Sequence, residues 1–283
     1  MIHQLNMNGD DKVDVAIKRL QTFEPPEGYY LAFSGGKDSV VCKALCDMAG
    51  VKYDAHYNIT SVDPPELVQF VKTFPDVKRE HQYWGKDGKH HKVGDPITMW
   101  NLIAEDTLPP TQIARYCCEK LKEGSANNRF LITGVRWAES AKRRNRGGVE
   151  VSDKKGKKNA ELIDPDNPDQ EMIHICMMKK RRTLNPIIDW GDDDVWEFIR
   201  EYNVRYCSLY DEGYKRLGCI GCPMGSKEHR IYEFNRYPTY RKAYVKAFEK
   251  MILNMHTTSW ETGEDVMNWW LRKAESDDSV PIG

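Results

Sequence analysis

Two groups of residues in this chain have the types and spacing to do chemistry. The first is Ser34-Gly35-Gly36-Lys37-Asp38-Ser39. Adjacent glycines let backbone N–H groups close around an anion, Lys37 adds a full positive charge, and Ser34 and Ser39 add hydroxyl donors. Set ahead of a helix, whose N-terminus carries partial positive charge, such a loop suits a phosphate group. An ordinary strand-to-helix turn is the plain alternative, and a Walker loop is excluded because its G-x-x-x-x-G-K-[ST] spacing is absent. The second group is drawn from eight cysteines. Cys117 and Cys118 are adjacent, and Cys219 and Cys222 form a C-x-x-C pair ahead of Pro223. Four thiolates are soft ligands that suit zinc or an iron–sulfur cluster, and their number alone does not separate the two. Cys42, Cys46 and Cys176 read as core cysteines, a common fate of this residue. Cys207 stays open between a spare ligand, a sulfur-relay thiol and an inert packed side chain.

The elements that must position these residues alternate. An amphipathic helix over residues 13–23 stops at the breaker cluster Glu24-Pro25-Pro26-Glu27-Gly28. Residues 29–33 form a short apolar run, the pattern of a strand buried on both faces, and it feeds the glycine loop. The helix that follows is expected to turn Val40, Val41, Ala44, Leu45 and Met48 inward and to stop at Gly50. Strands are predicted over 51–57, 77–82 and 129–135, and helices over 65–73 and 96–105. This alternation predicts an α/β fold, a parallel twisted sheet with helices on both faces, its ligand site beyond the carboxyl ends of the strands. Residues 139–170 break the rhythm and read as a basic, centrally mobile loop; residues 142–158 hold eight Lys or Arg against two acidic side chains. A helix over 192–202 is expected to be capped by Asp192, with Val195, Trp196, Phe198, Ile199 and Tyr202 as its apolar stripe. Helices over 237–255 and 264–274 make a small helical C-terminal region. The reading divides the chain into a nucleotide-binding domain, 1–205, and a C-x-x-C segment with helices, 206–283.

Composition sets the outer limits. With 283 residues and 40% hydrophobic side chains the chain can bury a full core. No apolar run approaches the roughly 20 residues needed to cross a bilayer, and the first residues lack a signal-peptide pattern. The expectation is a soluble, cytoplasmic protein with reduced cysteines and no membrane partner. A net charge of −1 excludes a general nucleic-acid coat and leaves the basic patch local.

The glycine loop after its apolar strand resembles the PP-loop of ATP pyrophosphatases, which split ATP into AMP and pyrophosphate. Further segments, Arg115-Tyr-Cys-Cys-Glu-Lys120, Gly134-Val-Arg-Trp-Ala-Glu-Ser140, Asn185-Pro-Ile-Ile-Asp-Trp190 with Asp194-Val-Trp196, and the run from Leu209 to Pro223, are similar to the phosphoadenosine phosphosulfate reductase superfamily, in that family's order over residues from about 29 to 224. The resemblance implies an adenine-nucleotide alpha-hydrolase-like sheet. It implies that Ser34, Gly35, Gly36, Lys37, Asp38 and Ser39 hold the pyrophosphate end of ATP, with Asp38 placing Mg2+. It also implies a 4Fe–4S cluster on Cys117, Cys118, Cys219 and Cys222, zinc remaining the alternative, and it sets Gly134 and Arg136 at the nucleotide or substrate. Arg143 and Arg144 are natural anion contacts because a guanidinium pairs bidentately with phosphate. Residues 154–158 read as a solvated lysine run, and residues 142–158, with a net charge of +6, alternatively as a nucleic-acid clamp.

Reductases of the superfamily use a nucleophilic Cys near their C-terminus in a Glu-Cys-Gly-type motif and tend to depart from the full PP-loop. Here residues 223–283 carry no Cys and the loop is intact. The expected activity is therefore ATP-dependent, adenylating sulfur transfer, similar to the sulfurtransferase of DNA phosphorothioation, with Lys37, Asp38 and Arg136 as catalytic residues. The expected partners are a sulfur donor such as a cysteine desulfurase and an acceptor left open between a small molecule and nucleic acid; a homodimer is a further candidate. Two alternatives stand: a phosphoadenylyl or adenylyl sulfate reductase using Cys207, and a non-catalytic nucleotide- or DNA-binding component of a modification system.

Overall fold

A computed structural model describes residues 11–86, 91–123, 126, 129–141, 143–152, 161–163, 181–255 and 258–272. Cys176, Lys142, the lysines of 154–158 and the acidic tail after 272 lie outside the described residues. The chain divides into two units, one within residues 1–57, 66–79 and 126–217 and the other within 58–65, 80–125 and 218–283. This differs from a single break at 205/206. The reason is that helix α4 (Met99–Glu105), from the middle of the chain, packs on helix α8 (Pro238–Asn254), so mid-chain and C-terminal segments share one core.

The first unit is built on a seven-stranded sheet in the order β3-β2-β1-β4-β7-β5-β6, with β1 Tyr29–Ala32, β2 Tyr53–Asn58, β3 Val77–Glu80, β4 Phe130–Ile132, β5 Val149–Ser152, β6 Glu161–Ile163 and β7 Arg181–Leu184. Strand β1 runs parallel to β2 and β4, and β4 parallel to β7. Tyr29 and Leu31 are fully buried, as expected for a strand covered on both faces. The chain leaves β1 for β2 and β3 on one side and returns to β4 on the other. The carboxyl ends of β1 and β4 therefore flank the point where strand order reverses, the place where open α/β sheets bind ligands.

Helix α1 (Lys12–Thr22) is capped by Asp11, which accepts from Val13 N–H at 2.8 Å. Helix α2 (Lys37–Ala49) starts inside the glycine loop and buries Val40, Val41, Cys42, Leu45, Cys46 and Ala49. Met48, expected on the inner face, is 42% exposed, because the buried stripe runs one position round the helix through Cys42 and Cys46. Helix α3 (Pro65–Lys72) follows β2. Helix α6 (Asp192–Glu201) buries Val195, Phe198 and Ile199, while Tyr202 lies at its exposed end.

The sheet is the expected mainly parallel one, with antiparallel pairing at its far edge. Strand β5 pairs antiparallel with both β6 and β7, so the ends of the segment expected to be loop form a hairpin edge. Val149 and Val151 are buried on either side of the half-buried Glu150, the alternation of a strand inside a charged stretch. In β7, Arg182 is buried with its guanidinium 4.9 Å above the Phe130 ring and 3.4 Å from Glu27.

The second unit gathers α4, α7 (Lys227–Arg236), α8 and α9 (Gly263–Arg272), with the short helix α5 (Tyr116–Cys118), around Phe234, Tyr244, Phe248 and Trp270, whose rings meet edge-on or tilted. Pro238 at the first turn separates α7 from α8, since its missing N–H is tolerated only there. Among the described residues no helix is long and apolar enough to cross a membrane.

Candidate nucleotide and cysteine sites

The glycine loop leaves the end of β1 and becomes the first turn of α2. Gly35 has φ +75°, and a Cβ there would come within 2.7 Å of Leu67, so only glycine lets the loop lie against α3. Ser39 Oγ donates to Gly36 O at 2.8 Å and lies 3.2 Å from Ser34 Oγ, so the two hydroxyls shape the loop. Lys37 is 7% exposed. Its Nζ lies 3.3 Å from both the Lys215 carbonyl and Asp192 Oδ1, and its backbone N–H donates to Tyr210 OH at 2.8 Å.

Arg136 comes to the same place from the end of β4. It is 1% exposed, donates from Nε to Asp38 Oδ1 at 2.7 Å and from Nη2 to Asp192 Oδ1 at 2.8 Å, and reaches the Trp190 carbonyl at 3.2 Å. One guanidinium thus bridges two carboxylates. Gly134 permits this approach: a Cβ there would lie 2.8 Å from Asp38 Cβ. Partial burial raises Asp192, but the Arg136 hydrogen bond and the Lys37 charge outweigh it and hold the carboxyl below the usual range. Glu139 accepts from Arg136 N–H at 3.1 Å and from Arg143. Burial, and then the charges of Arg216 and Arg146, push Arg143 down.

Ser34–Ser39, Gly134, Arg136 and Arg143 are therefore brought together in the first unit. Asp192 was expected to cap α6. The cap position belongs to Gly191, whose N–H donates to Asp194 at 2.6 Å, which leaves Asp192 to Arg136 and Lys37. Tyr210 was missed as well, although it lies in the Leu209–Pro223 run; nothing in its sequence neighbourhood says that it meets the glycine loop. Cys207 is fully buried, burial pushes its thiol up, and its charged neighbours are Glu66, Glu212 and Asp211.

In the second unit, Cys117 ends buried and Cys118 half-buried on α5, which continues into a π-helical turn over Glu119–Glu123. Cys117 donates to Cys118. That bond, with Arg115 3.4 Å away and against the cost of burial, brings the Cys118 thiol down to about 5. Burial pushes Cys219 up to about 12 against the pull of Lys122, whose Nζ lies 3.4 Å from its sulfur. Cys117 also feels the charges of Cys219 and Cys222, so all four thiols share one electrostatic neighbourhood. Thr60 hydrogen-bonds Cys219, and the next residue, Ser61, takes φ 66°, a strained value for a residue with a Cβ. Lys122 stands four residues after Cys118, a helical spacing that could have marked it.

These residues fit a thiolate-held cluster. The cations Arg115 and Lys122 meet the sulfurs directly. Arg230, 2% exposed, holds the Cys219–Cys222 turn through Gly221 O at 3.3 Å, and its buried Nη2 has no hydrogen-bond partner among the described residues. Among the described residues, no three His, Cys, Asp or Glu side chains close on a single metal position.

The family model described as phosphoadenosine phosphosulfate reductase domain matches residues 28–225, which span both sites. The chain belongs to this family. Within it, this reductase-domain chain is 25% identical over 246 residues to an uncharacterised protein of Methanocaldococcus jannaschii, covering 84% of the chain and 50% of the relative. It is 30% identical over 136 residues to an adenosine 5'-phosphosulfate reductase of Allochromatium vinosum, covering 46% of the chain and 43% of that protein. The chain thus spans half or less of the length of these curated relatives. Among solved structures it is similar to a phosphoadenylyl-sulfate reductase from Candida auris, with TM-score 0.41 and 14% identity over 76% of this chain and 96% of that one. It is also similar to Candida glabrata FMN adenylyltransferase in complex with FMN and an ATP analogue, with TM-score 0.44 and 12% identity over 74% and 63%.

Proposed function

We propose that this reductase-family chain is an adenylating sulfur-transfer enzyme that cleaves ATP to AMP and pyrophosphate. One observation carries the reading: the intact glycine loop leads into a buried Lys37 that shares Asp192 with Arg136, which in turn holds Asp38. This is a cationic, partly desolvated cradle at the strand-order reversal, suited to charge that develops on a departing polyphosphate.

An acceptor oxygen attacks the α-phosphorus. The new P–O bond forms as the bond to the β-phosphate oxygen breaks, and pyrophosphate leaves with the bonding pair, its charge balanced by Lys37 and the N-terminal turn of α2. Asp38 and Asp192 are the carboxylates available to a Mg2+ ion, which takes one or two such ligands plus phosphate oxygens. Hydrosulfide then attacks the adenylated carbon or phosphorus, and AMP leaves carrying the acceptor oxygen, so sulfur replaces oxygen without net oxidation or reduction. A 4Fe–4S cluster, when bound by Cys117, Cys118, Cys219 and Cys222, supplies soft iron suited to a sulfur species. A cysteine desulfurase is the proposed donor class, its persulfide being reduced by a thiol reductant that forms a disulfide and releases hydrosulfide, and the acceptor is a small molecule or nucleic acid.

A second reading, adenylyl sulfate reduction with sulfite release, is favoured by the match to the Allochromatium vinosum enzyme of that name. Burial of Cys207 argues against that residue as its nucleophile, since a neutral, buried thiol is a poor one. Turnover of Mg–ATP, with water standing in as the acceptor oxygen, tests the first reading. Pyrophosphate release that Lys37→Ala abolishes supports it; sulfite from adenylyl sulfate, with no ATP cleavage, selects the second.

A further inference from the structure

We propose that Tyr210 is a direct binding residue for the pyrophosphate end of ATP, and that it selects nucleotides by that end; this rests on the adenylating reading above. Its hydroxyl accepts the Lys37 backbone N–H at 2.8 Å, so the phenol oxygen stands at the first turn of α2, where the loop presents N–H groups to an anion. A phenol that accepts one bond keeps one O–H to donate, and no acceptor within the described residues takes it from Tyr210. The side chain cannot swing freely. Its ring meets Trp196 edge-on at 5.1 Å, and Lys37 Nζ lies 6.0 Å from the ring centroid. A Cβ on Gly36 would come 3.5 Å from the hydroxyl, so the phenol rests on the glycine backbone itself. Burial raises the phenol well above its ordinary range, so it stays a donor at neutral pH. Lys37 beside it supplies charge without direction, whereas the O–H supplies a directed bond to a phosphate oxygen. A sulfonucleotide puts a less charged sulfate in the β position and no γ-phosphate, so it offers that donor a weaker acceptor.

The experiment measures binding of inorganic pyrophosphate and, separately, of AMP to the full chain by calorimetry, comparing wild type with Tyr210→Phe. Phenylalanine keeps the ring packed on Trp196, and a matched melting temperature checks that the variant is folded. The expected result is pyrophosphate affinity reduced about tenfold, the worth of one hydrogen bond to a charged group, with AMP affinity changed less than about twofold. Unchanged pyrophosphate affinity in a wild type that binds it overturns the role of Tyr210 alone, as does an equal loss for both ligands. A wild type that binds adenylyl sulfate but not pyrophosphate overturns the proposal together with the reading beneath it.

Discussion

At the residue scale the centre of the account is Arg136, because it is almost fully buried and shared by two carboxylates of different exposure. Asp38 is 23% exposed and Asp192 is 68% exposed at the side chain. Replacing Arg136 with Met leaves Asp38 and the Trp190 carbonyl without their donor, and the expected cost is about 3–5 kcal/mol, read as a lower urea midpoint. Asp192→Asn is expected to behave differently. Water already screens most of that carboxylate, so the stability loss is under about 1 kcal/mol, while pyrophosphate release falls at least about tenfold as Lys37 and Arg136 lose their shared counter-charge. Equal stability losses in the two variants would show that the bridge is a structural ion pair with no part in positioning Lys37.

At the element scale the site depends on how closely the exit of β4 approaches the start of α2. Gly134→Ala drives a Cβ into Asp38 and is expected to cost about 1–3 kcal/mol and to weaken ATP binding, measured by urea unfolding and calorimetry. Gly218→Ala is the control: nothing lies within 4 Å of the added Cβ, so it should be near neutral. The strands and helices of this approach were legible because their signals are local. The apolar run of β1, the Gly-Gly turn and the stop at Gly50 each follow from neighbouring residues. The hairpin edge was not legible, since Val149 and Val151 alternate for only one period among Arg146, Glu150 and the following lysines, and charge masked the pattern. Nor was β7, where burial of Arg182 depends on a Phe130 ring distant in sequence. The site shows the same division. Ser34–Ser39, Arg136 and the four cysteines stood out by type and spacing, whereas Asp192 and Tyr210 act through contacts across more than fifty residues that no local pattern encodes.

At the scale of the whole molecule, each unit carries one chemical set, the glycine loop in the first and the four cysteines in the second. Anaerobic purification should give a brown protein with about four irons and four sulfides per chain, and Cys219→Ser or Cys222→Ser should bleach it, because an alcohol replaces a thiolate poorly. Stoichiometric zinc without iron would refute the cluster. If nucleic acid is the acceptor, neutralising Lys154, Lys155, Lys157 and Lys158 should flatten the salt dependence of its binding and leave ATP affinity intact; a small acceptor predicts no change in turnover. The most direct test is where the phosphate chain of ATP is cut. In phosphorus NMR of the iron-reconstituted chain with Mg–ATP, water standing in as the acceptor oxygen at the α-phosphorus, the account predicts AMP and pyrophosphate in equal amounts, both lost in Lys37→Ala; ADP and orthophosphate from the wild type would contradict it.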